Sequence, residues 1–223
     1  EQMPSPGRKL LMAGLGGLNI THSEPADSFI ARYTDRAPAL RPMIEAFTPD
    51  HLRQWCRDLG EPTFVGTSGR VFPESFKASP LLRAWLGKLD RLGVTLRNRH
   101  RWTGWDDDGA LTFELGGGET LTFQASATVL ALGGATWPRL GSTGAWKSAL
   151  AERGVLLSPF EPSNCGFEVS WSERLLSQHE GKPVKNTDFR FGAHHSRAEA
   201  VITKRGIEGG GIYALSAPLR DAI

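Results

Sequence analysis

Apolar side chains recur at helical spacing in two segments of the first half of the chain. The first segment begins at Thr48-Pro49-Asp50, which places an N-cap residue before a proline and an acidic residue. The second begins at Ser79, and a glycine closes each segment. We expect two amphipathic helices whose apolar faces pack in the core, and one or two shorter helices within residues 25–47.

Short segments of alternating apolar and polar residues follow these helices. Alternation of this kind predicts antiparallel strands, and glycine-containing turns at 106–109 and 116–119 predict the hairpins that join them. The predicted strands of this antiparallel meander are 94–96, 99–105, 111–115 and 120–123. Residues 64–76, which lie between the two helices, contain glycines and are interpreted as a loop.

Residues 127–132, Ala-Thr-Val-Leu-Ala-Leu, form an apolar, β-branched run that ends at Gly133 and Gly134. A run of this length flanked by glycine predicts a buried parallel strand with cover on both faces. In sheets of that kind, ligands bind beyond the carboxyl ends of the strands, where glycine allows close approach. A tight turn without a ligand is the alternative. Gly-Ser-Thr-Gly follows and opens a short predicted helix, 144–153.

A second glycine-rich segment strengthens the prediction of a ligand. Gly14, Gly16 and Gly17 follow the apolar stretch 10–13, and Asn19, Thr21 and Ser23 come next. Consecutive backbone N–H groups in such a loop can bind an anion, with positive charge nearby from Arg8 and Lys9. Neither a G-x-G-x-x-G fingerprint nor a P-loop is present. Two glycine clusters with polar residues at strand ends predict a nucleotide-type ligand.

The pattern changes after Pro159. Residues 160–166 resemble a linker, and 167–171, 189–192 and 199–203 are predicted strands of a β-rich domain. A third glycine-rich loop spans 206–212, and 213–223 is a predicted helix that Pro218 kinks or shortens. We therefore expect two domains, 1–158 and 159–223. Because the chain starts at Glu1 and stops within a predicted helix, we expect it to be a fragment of a longer protein.

Composition narrows the functional class. The 223 residues are 39% hydrophobic and 22% charged, with a formal net charge of +2, which disfavours nucleic acid or an anionic membrane as partner. No apolar run is long enough to span a bilayer, and no signal peptide is visible. Cys56 and Cys165 lack the spacing of a metal site, so we expect two reduced thiols in a cytoplasmic protein and no metal.

These segments together resemble the YhiN/BaiN-like family of FAD-dependent flavoproteins. The resemblance rests on five stretches in family order: Gly-Arg-Lys-Leu-Leu-Met-Ala-Gly, Leu-Asn-Ile-Thr-His-Ser, Val-Leu-Ala-Leu-Gly-Gly-Ala-Thr-Trp-Pro, Gly-Ser-Thr-Gly and Thr-Lys-Arg-Gly-Ile-Glu-Gly. It implies an α/β fold: an FAD/NAD(P)-binding Rossmann-like domain of the glutathione-reductase type with a β-meander. A β-rich insertion domain interrupts that fold, and the chain is truncated at both ends.

The resemblance also implies roles for individual residues. Glu1 corresponds to the acid that holds the adenosine ribose, and Gly7 and Arg8, with Lys9 beside them, lie near the phosphates. Gly14, Gly16, Gly17 and Asn19 correspond to the loop beside the flavin. The remaining implied positions are the turn near the cofactor (Ala131, Gly133 and Gly134) and the insertion-domain loop that faces the active site (Gly206 and Gly209).

Three positions depart from the family pattern. Gly17 and Leu18 stand where the family has arginine and cysteine, and Leu132 replaces a common threonine. A cation and a thiol beside the flavin are therefore absent, which suits a divergent subgroup. The family's G-x-G-x-x-G unit precedes Glu1 and is not in this sequence. We expect this chain alone to bind FAD weakly or not at all.

These implications predict an FAD-dependent oxidoreductase that transfers hydride between NADH or NADPH and a small organic molecule. The alternative is a flavin-binding redox sensor or scaffold without turnover. A hydrolase is disfavoured because no G-x-S-x-G is present. No catalytic acid–base pair is identified, and the oligomeric state is left open. His22 is the best polar candidate near the flavin, although a loop hydrogen-bonding role is favoured for it. His194 and His195 are interpreted as solvated residues of a turn. Lys204, Arg205 and Glu208 either face the active site or form a solvated charged loop.

Overall fold

The computed structural model describes residues 1–14 and 16–223. The chain divides into two units, Glu1–Leu157 and Ser158–Ile223. Each unit is described by itself below. None of the helices in the described ranges is both long and apolar enough to cross a membrane.

The first unit contains six α-helices among its described residues, and all of them except the first were predicted from the sequence. They are α1 (Arg8–Ala13), α2 (Ala26–Ala31), α3 (Ala37–Ala46), α4 (Pro49–Asp58), α5 (Ala78–Arg91) and α6 (Trp146–Glu152). Thr48 caps α4: its Oγ1 accepts the His51 N–H at 3.2 Å, and the His51 ring accepts the Thr48 N–H at 3.3 Å. This reciprocal pair satisfies two of the backbone donors that a helix start leaves without partners.

The main core of the first unit joins α1, α4 and α5. Leu18, Cys56, Ala78 and Leu81 are buried together, and partly buried apolar residues of α1 and α4 pack around them. Burial raises the pKa of the Cys56 thiol, because the thiolate would lose its hydration there. Both cysteines are free thiols, as predicted.

Two antiparallel sheets complete the first unit among the described residues. One has the order β1 (Thr21–His22), β3 (Arg70–Pro73), β2 (Thr63–Val65). The prediction of a loop at 64–76 is therefore wrong: Gly66 and Gly69 form the turn of a hairpin, and the Gly69 N–H bonds to the Gly66 carbonyl at 2.9 Å. The other sheet is the predicted meander, β4 (His100–Trp105), β5 (Leu111–Leu115) and β6 (Thr120–Phe123).

Two predicted strands are wrong. Residues 94–96 pair with no described strand and stay irregular. Residues 127–132 are also irregular, and Val129 is 91% exposed. A buried parallel strand needs a neighbour for its backbone hydrogen bonds and cover on both faces. All of the strand pairs described for this chain are antiparallel, and none of them includes residues 127–132.

The second unit is built on a four-stranded antiparallel sheet of order β7-β10-β9-β8. The predicted strand 167–171 is shorter than expected, whereas 189–192 and 199–203 belong to longer strands. Residues 206–208 pair as a strand instead of looping, and the predicted C-terminal helix breaks before Ser216, two positions ahead of Pro218. The elements are β7 (Phe167–Glu168), α7 (Glu173–His179), β8 (Pro183–Phe191), β9 (His194–Thr203), β10 (Gly206–Glu208), α8 (Gly210–Tyr213) and α9 (Ser216–Asp221).

Candidate functional site

The first unit contains a cavity of about 550 Å³ beside strand β4 and helix α6. This volume falls within the range of about 300–1,000 Å³ that is typical of small-molecule sites. Its lining contains two glycines together with aromatic, aliphatic and polar side chains. The lining residues are Glu1, Gln2, Lys9, 100–103, Phe113, 131–133, 140–143, Ala145, Trp146, Ser148 and Ala149.

Four of the predicted binding residues line this cavity: Glu1, Lys9, Ala131 and Gly133. Glu1 lies beside the start of β4, where its carbonyl accepts the His100 N–H at 2.9 Å. Its carboxylate accepts the Met3 N–H at 2.7 Å. Lys9 reaches across to the 131–136 segment and donates to Thr136 Oγ1 at 3.0 Å. Residues that are distant in sequence therefore meet at one site.

Gly7 and Arg8 lie next to Lys9, at the start of α1, but do not line the cavity. Gly7 has a φ of 70° and precedes the helix, and a Cβ there would be 2.7 Å from Leu82 Cδ2. Packing against Leu82 is thus enough to explain this glycine. The Nε of Arg8 is buried and has no hydrogen-bond partner among the described residues.

The glycine loop of Gly14, Gly16, Gly17 and Asn19 lies at the opposite end of α1, about 9 Å along the helix axis from its start. It follows a helix, so the prediction of a strand end at this point is wrong. The N–H groups of Gly14 and Gly17 bond to the carbonyls of Leu10 and Gly14, which leaves neither free for an anion. The loop packs beside stacked phenylalanines, with Phe76 3.0 Å from a Cβ placed at Gly17.

Gly133 and Gly134 differ from Gly14 and Gly17 of the loop, and resemble Gly16, because nothing crowds them. A Cβ at either position would meet no atom within 4 Å, and Gly133 has a φ of 74°. The Trp146 indole N–H donates to the Gly133 carbonyl at 3.1 Å and holds the turn against α6. The backbone of this turn is therefore held in place and uncovered, which allows a ligand to approach it closely.

Two residues of the cavity lining, which sequence reasoning missed, carry buried polar atoms. The indole Nε1 of Trp102 and the Oγ of Ser142 are buried and have no hydrogen-bond partner in the described structure. Ser142 lies within the Gly-Ser-Thr-Gly stretch, so its position could have been noticed. Nothing in the pattern around Trp102 distinguishes it from an ordinary core tryptophan. Buried polar atoms without partners are uncommon in folded proteins and are a sign of an absent ligand or water.

The polar candidates of the sequence lie elsewhere. His22 bonds to the Ser68 carbonyl at 3.0 Å and accepts the Glu24 N–H at 3.1 Å, as a loop residue would. His194 and His195 are exposed, but on β9 and not in a turn as predicted. Lys204, Arg205 and Glu208 are exposed, and Arg205 pairs with Glu168. No group of three or more metal-binding side chains occurs in the part of the chain that the structure describes.

The Glu24 carboxylate beside His22 gives a testable pH dependence. Its side chain is 11% exposed, and hydrogen bonds from Arg32 at 2.6 and 2.8 Å lower its pKa. Because the pKa is lower in the folded state, the stabilisation is complete above the unfolded pKa of about 4.3 and is lost as the pH falls through the folded value. We expect urea unfolding to give wild type a higher free energy of unfolding than Glu24→Gln at pH 7. This difference should disappear in acid.

Glu45→Gln is the matched control for this prediction. Glu45 contacts Arg41 at 3.1 Å on α3, but both side chains are about half exposed. Such surface pairs contribute little to stability. A Glu24→Gln variant that differs from wild type equally at all pH values would contradict the assignment.

Comparison with known protein families adds an independent result to this geometry. Residues 1–214 match the family described as HI0933-like protein Rossmann domain, which is a family of FAD-binding flavoproteins. No curated protein is similar enough to this chain to name as a relative. The resemblance found in the sequence is confirmed at the level of an FAD-binding Rossmann domain, and the YhiN/BaiN-like subgroup stays a prediction. The chain belongs to the HI0933-like Rossmann-domain family.

Proposed function

We propose that this protein is an FAD-dependent oxidoreductase that passes hydride between NADH or NADPH and a small organic molecule. The observation that carries the proposal is the cavity, because it gathers Glu1, Lys9, Ala131 and Gly133 from two distant segments in a chain of an FAD-binding family. We assign residues 1–158 to FAD binding and 159–223 to the substrate side. We place the protein in the cytoplasm.

The residues of the cavity fit the chemistry of this dinucleotide. A carboxylate such as Glu1 accepts hydrogen bonds from ribose hydroxyls, and an ammonium such as Lys9 attracts phosphate. Lys9 makes no ion pair with a described residue, so its charge is uncompensated by a neighbouring acid. The Nε of Arg8, buried without a partner in the described structure, is a further donor close by.

When bound, FAD supplies the hydride chemistry itself. The residues of this chain then have the tasks of binding and orientation. The open turn at Gly133 and Gly134 lets backbone approach a planar group. Trp102, Phe113 and Trp146 line the cavity and give it aromatic surface.

A titration followed by a reduction assay tests the proposal. We expect FAD to bind this chain weakly and to change its fluorescence on binding. Lys9→Met should weaken the binding by about tenfold, because a charge-assisted contact is lost. Lys147→Met on α6 provides a lysine control outside the cavity lining. Under anaerobic conditions NADH or NADPH should then bleach the bound flavin. Bound flavin that neither NADH nor NADPH bleaches would end the proposal.

A second candidate is a flavin-binding sensor or scaffold without turnover. It is favoured by Gly17 and Leu18, which stand where the family pattern has arginine and cysteine, so that a cation and a thiol are lost from the flavin side. Flavin that binds, is reduced by dithionite and resists both nicotinamide reductants would support this candidate.

A further inference from the structure

We propose that the solvent-facing side of the β1–β3–β2 sheet binds a small aromatic carboxylate, whose ring stacks on Phe76 and whose carboxylate pairs with Arg70. Neither residue lines the cavity, so this second site goes beyond the proposed function and does not depend on it. Two observations carry the inference. Three phenylalanines form a stack that is partly open to solvent, and an arginine without an acidic partner lies on the same side of the sheet.

The side chains of β3 alternate between the two sides of this sheet. Val71 and Pro73 are buried on one side. Arg70 is exposed and Phe72 is half-buried on the other. Because alternate residues of a strand share a side, Arg70 and Phe72 lie next to each other, about 6.6 Å apart along the strand. Phe64 of β2 pairs with Phe72 in register, and their rings stack on this same side with centroids 5.9 Å apart.

Phe76 completes the aromatic stack and is its outermost ring. The centroid of its ring lies 5.4 Å from that of Phe72, with 22° between the two planes, and 5.1 Å from that of Phe64. Neighbouring backbone encloses the stack: a Cβ at Gly17 would lie 3.0 Å from Phe76, and one at Gly66 would lie 3.3 Å from Phe72. Phe76 is nevertheless 49% exposed. A planar ring can therefore extend the stack on Phe76 without any rearrangement of the protein.

The backbone of Phe76 is strained in the conformation that presents this ring. Its φ is 58°, in the left-handed region that bulky side chains rarely adopt. Two hydrogen bonds hold it there, since its N–H donates to the Pro73 carbonyl at 2.9 Å and its carbonyl accepts the Leu18 N–H at 3.1 Å. Residues held in strained conformations cluster at binding and catalytic sites. Here the strain fixes an aromatic ring at the surface, as a stacking site requires.

Arg70 provides the charge that favours a carboxylate. Its side chain forms no ion pair with any residue that the structure describes. The acid that follows the neighbouring strand β1 is Glu24, and Arg32 already occupies it with hydrogen bonds at 2.6 and 2.8 Å. A guanidinium can donate to both oxygens of a carboxylate at once. The ligand that satisfies both the stack and this cation has a planar ring and a carboxylate.

Three related ligands separate the contribution of the ring from that of the charge. Naphthoate has both features, naphthamide keeps the rings without the charge, and the fully saturated decalin carboxylate keeps the charge without the aromatic rings. Each ligand is titrated into the protein and followed by amide NMR, which locates the site and gives the Kd.

Two variants are compared with two matched controls. Arg70→Gln removes the charge, and Phe76→Leu removes the aromatic ring but keeps an apolar side chain. Arg91→Gln removes an exposed arginine at the opposite end of α5 from Phe76, about 20 Å along the helix axis. Phe47→Leu makes the second change at a phenylalanine that follows α3 and is 54% exposed.

We expect naphthoate to bind more tightly than the other two ligands and to shift the amide resonances of residues 70–76 most. Arg70→Gln should weaken naphthoate binding about fivefold and leave naphthamide binding unchanged, because only the carboxylate uses the guanidinium. A general disturbance of the sheet would affect the charged and the neutral ligand alike. Phe76→Leu should weaken both ligands about fivefold, since both stack on the ring. The two control variants should keep the wild-type affinities.

Naphthamide that binds wild type as tightly as naphthoate would overturn the inference, since Arg70 would then take no part. Shifts confined to the cavity beside β4 and α6 would also overturn it. Displacement of naphthoate by FMN would assign this side of the sheet to the flavin, and dimerisation that buries Phe76 would assign it to a second copy of the chain. FAD binding measured on the same samples tests the proposed function separately, so that either proposal can fail alone.

Discussion

Gly206→Ala is expected to open the sheet of the second unit and to cost about 3 kcal/mol, at the upper end of what overpacking usually costs. Gly206 lies between β7 and β9, where it pairs with Glu168 on one side and Thr203 on the other. A Cβ would overlap the Phe167 carbonyl oxygen and would lie 2.9 Å from the Glu168 Cα. These are backbone atoms, so relief requires β7 to move as a whole. The Trp171 indole, which donates to the Gly206 carbonyl at 2.9 Å, would lose its acceptor position.

Amide hydrogen exchange measured by mass spectrometry locates this effect. Peptides from β7, β9 and β10 should exchange faster in the variant, while peptides of the first unit keep their wild-type rates. Gly192→Ala is the control. Gly192, unlike Gly206, has a positive φ, 56°, but a Cβ there meets nothing within 4 Å, so only the backbone strain of about 1–2 kcal/mol applies. Equal exchange in the two variants would show that the close approach to Phe167 is unimportant.

Gly14→Ala is expected to separate α1 from α5, with a loss of about 1–3 kcal/mol. The φ of Gly14, −87°, is acceptable for alanine, so the cost is purely steric. A Cβ would lie 2.6 Å from the Ala78 Cβ and 3.1 Å from the Ala78 backbone nitrogen. Ala78 belongs to the main core of the first unit, so the strain is transmitted to that core. Urea unfolding followed by far-UV circular dichroism measures the loss.

Gly16→Ala distinguishes the packing role of this loop from a ligand role. A Cβ at Gly16 meets no described atom within 4 Å, so the free energy of unfolding of the variant should stay within about 0.5 kcal/mol of wild type. If the loop borders the bound flavin, the same variant should weaken FAD binding. If Gly16→Ala proves as destabilising as Gly14→Ala, contact with Ala78 cannot be the reason for the glycine.

Sequence predicted best those features that neighbours in the chain determine. The start of α4 depends on Thr48 and His51, which are three residues apart and bond to each other. The turn at 106–109 depends on Asp106, whose carboxylate accepts the N–H groups of Asp108 and Ala110. The mixed α/β class and the FAD-binding Rossmann family are confirmed, whereas the glutathione-reductase type and the insertion domain stay predictions.

Features that depend on distant partners could not be read in this way. An apolar run such as 127–132 predicts burial, but nothing in its own pattern indicates whether a neighbouring strand is present. The predicted strand at 189–192 is shorter than β8, because Lys185 and Asp188 interrupt the apolar alternation before it. The unbonded state of Trp102 and Ser142 follows from what surrounds them, and their own sequence positions carry no sign of it.

The exposed run 127–132 has a consequence for the behaviour of the protein in solution. It is six residues long, lacks charge, proline and glycine, and shows Val129 almost entirely to solvent. Its backbone takes part in none of the described sheets, so its N–H and C=O groups are open to pairing with another extended chain. Segments with this composition are templates for intermolecular β-structure. Concentrated solutions should therefore aggregate through this run, and a single lysine at Val129 should keep the protein dispersed.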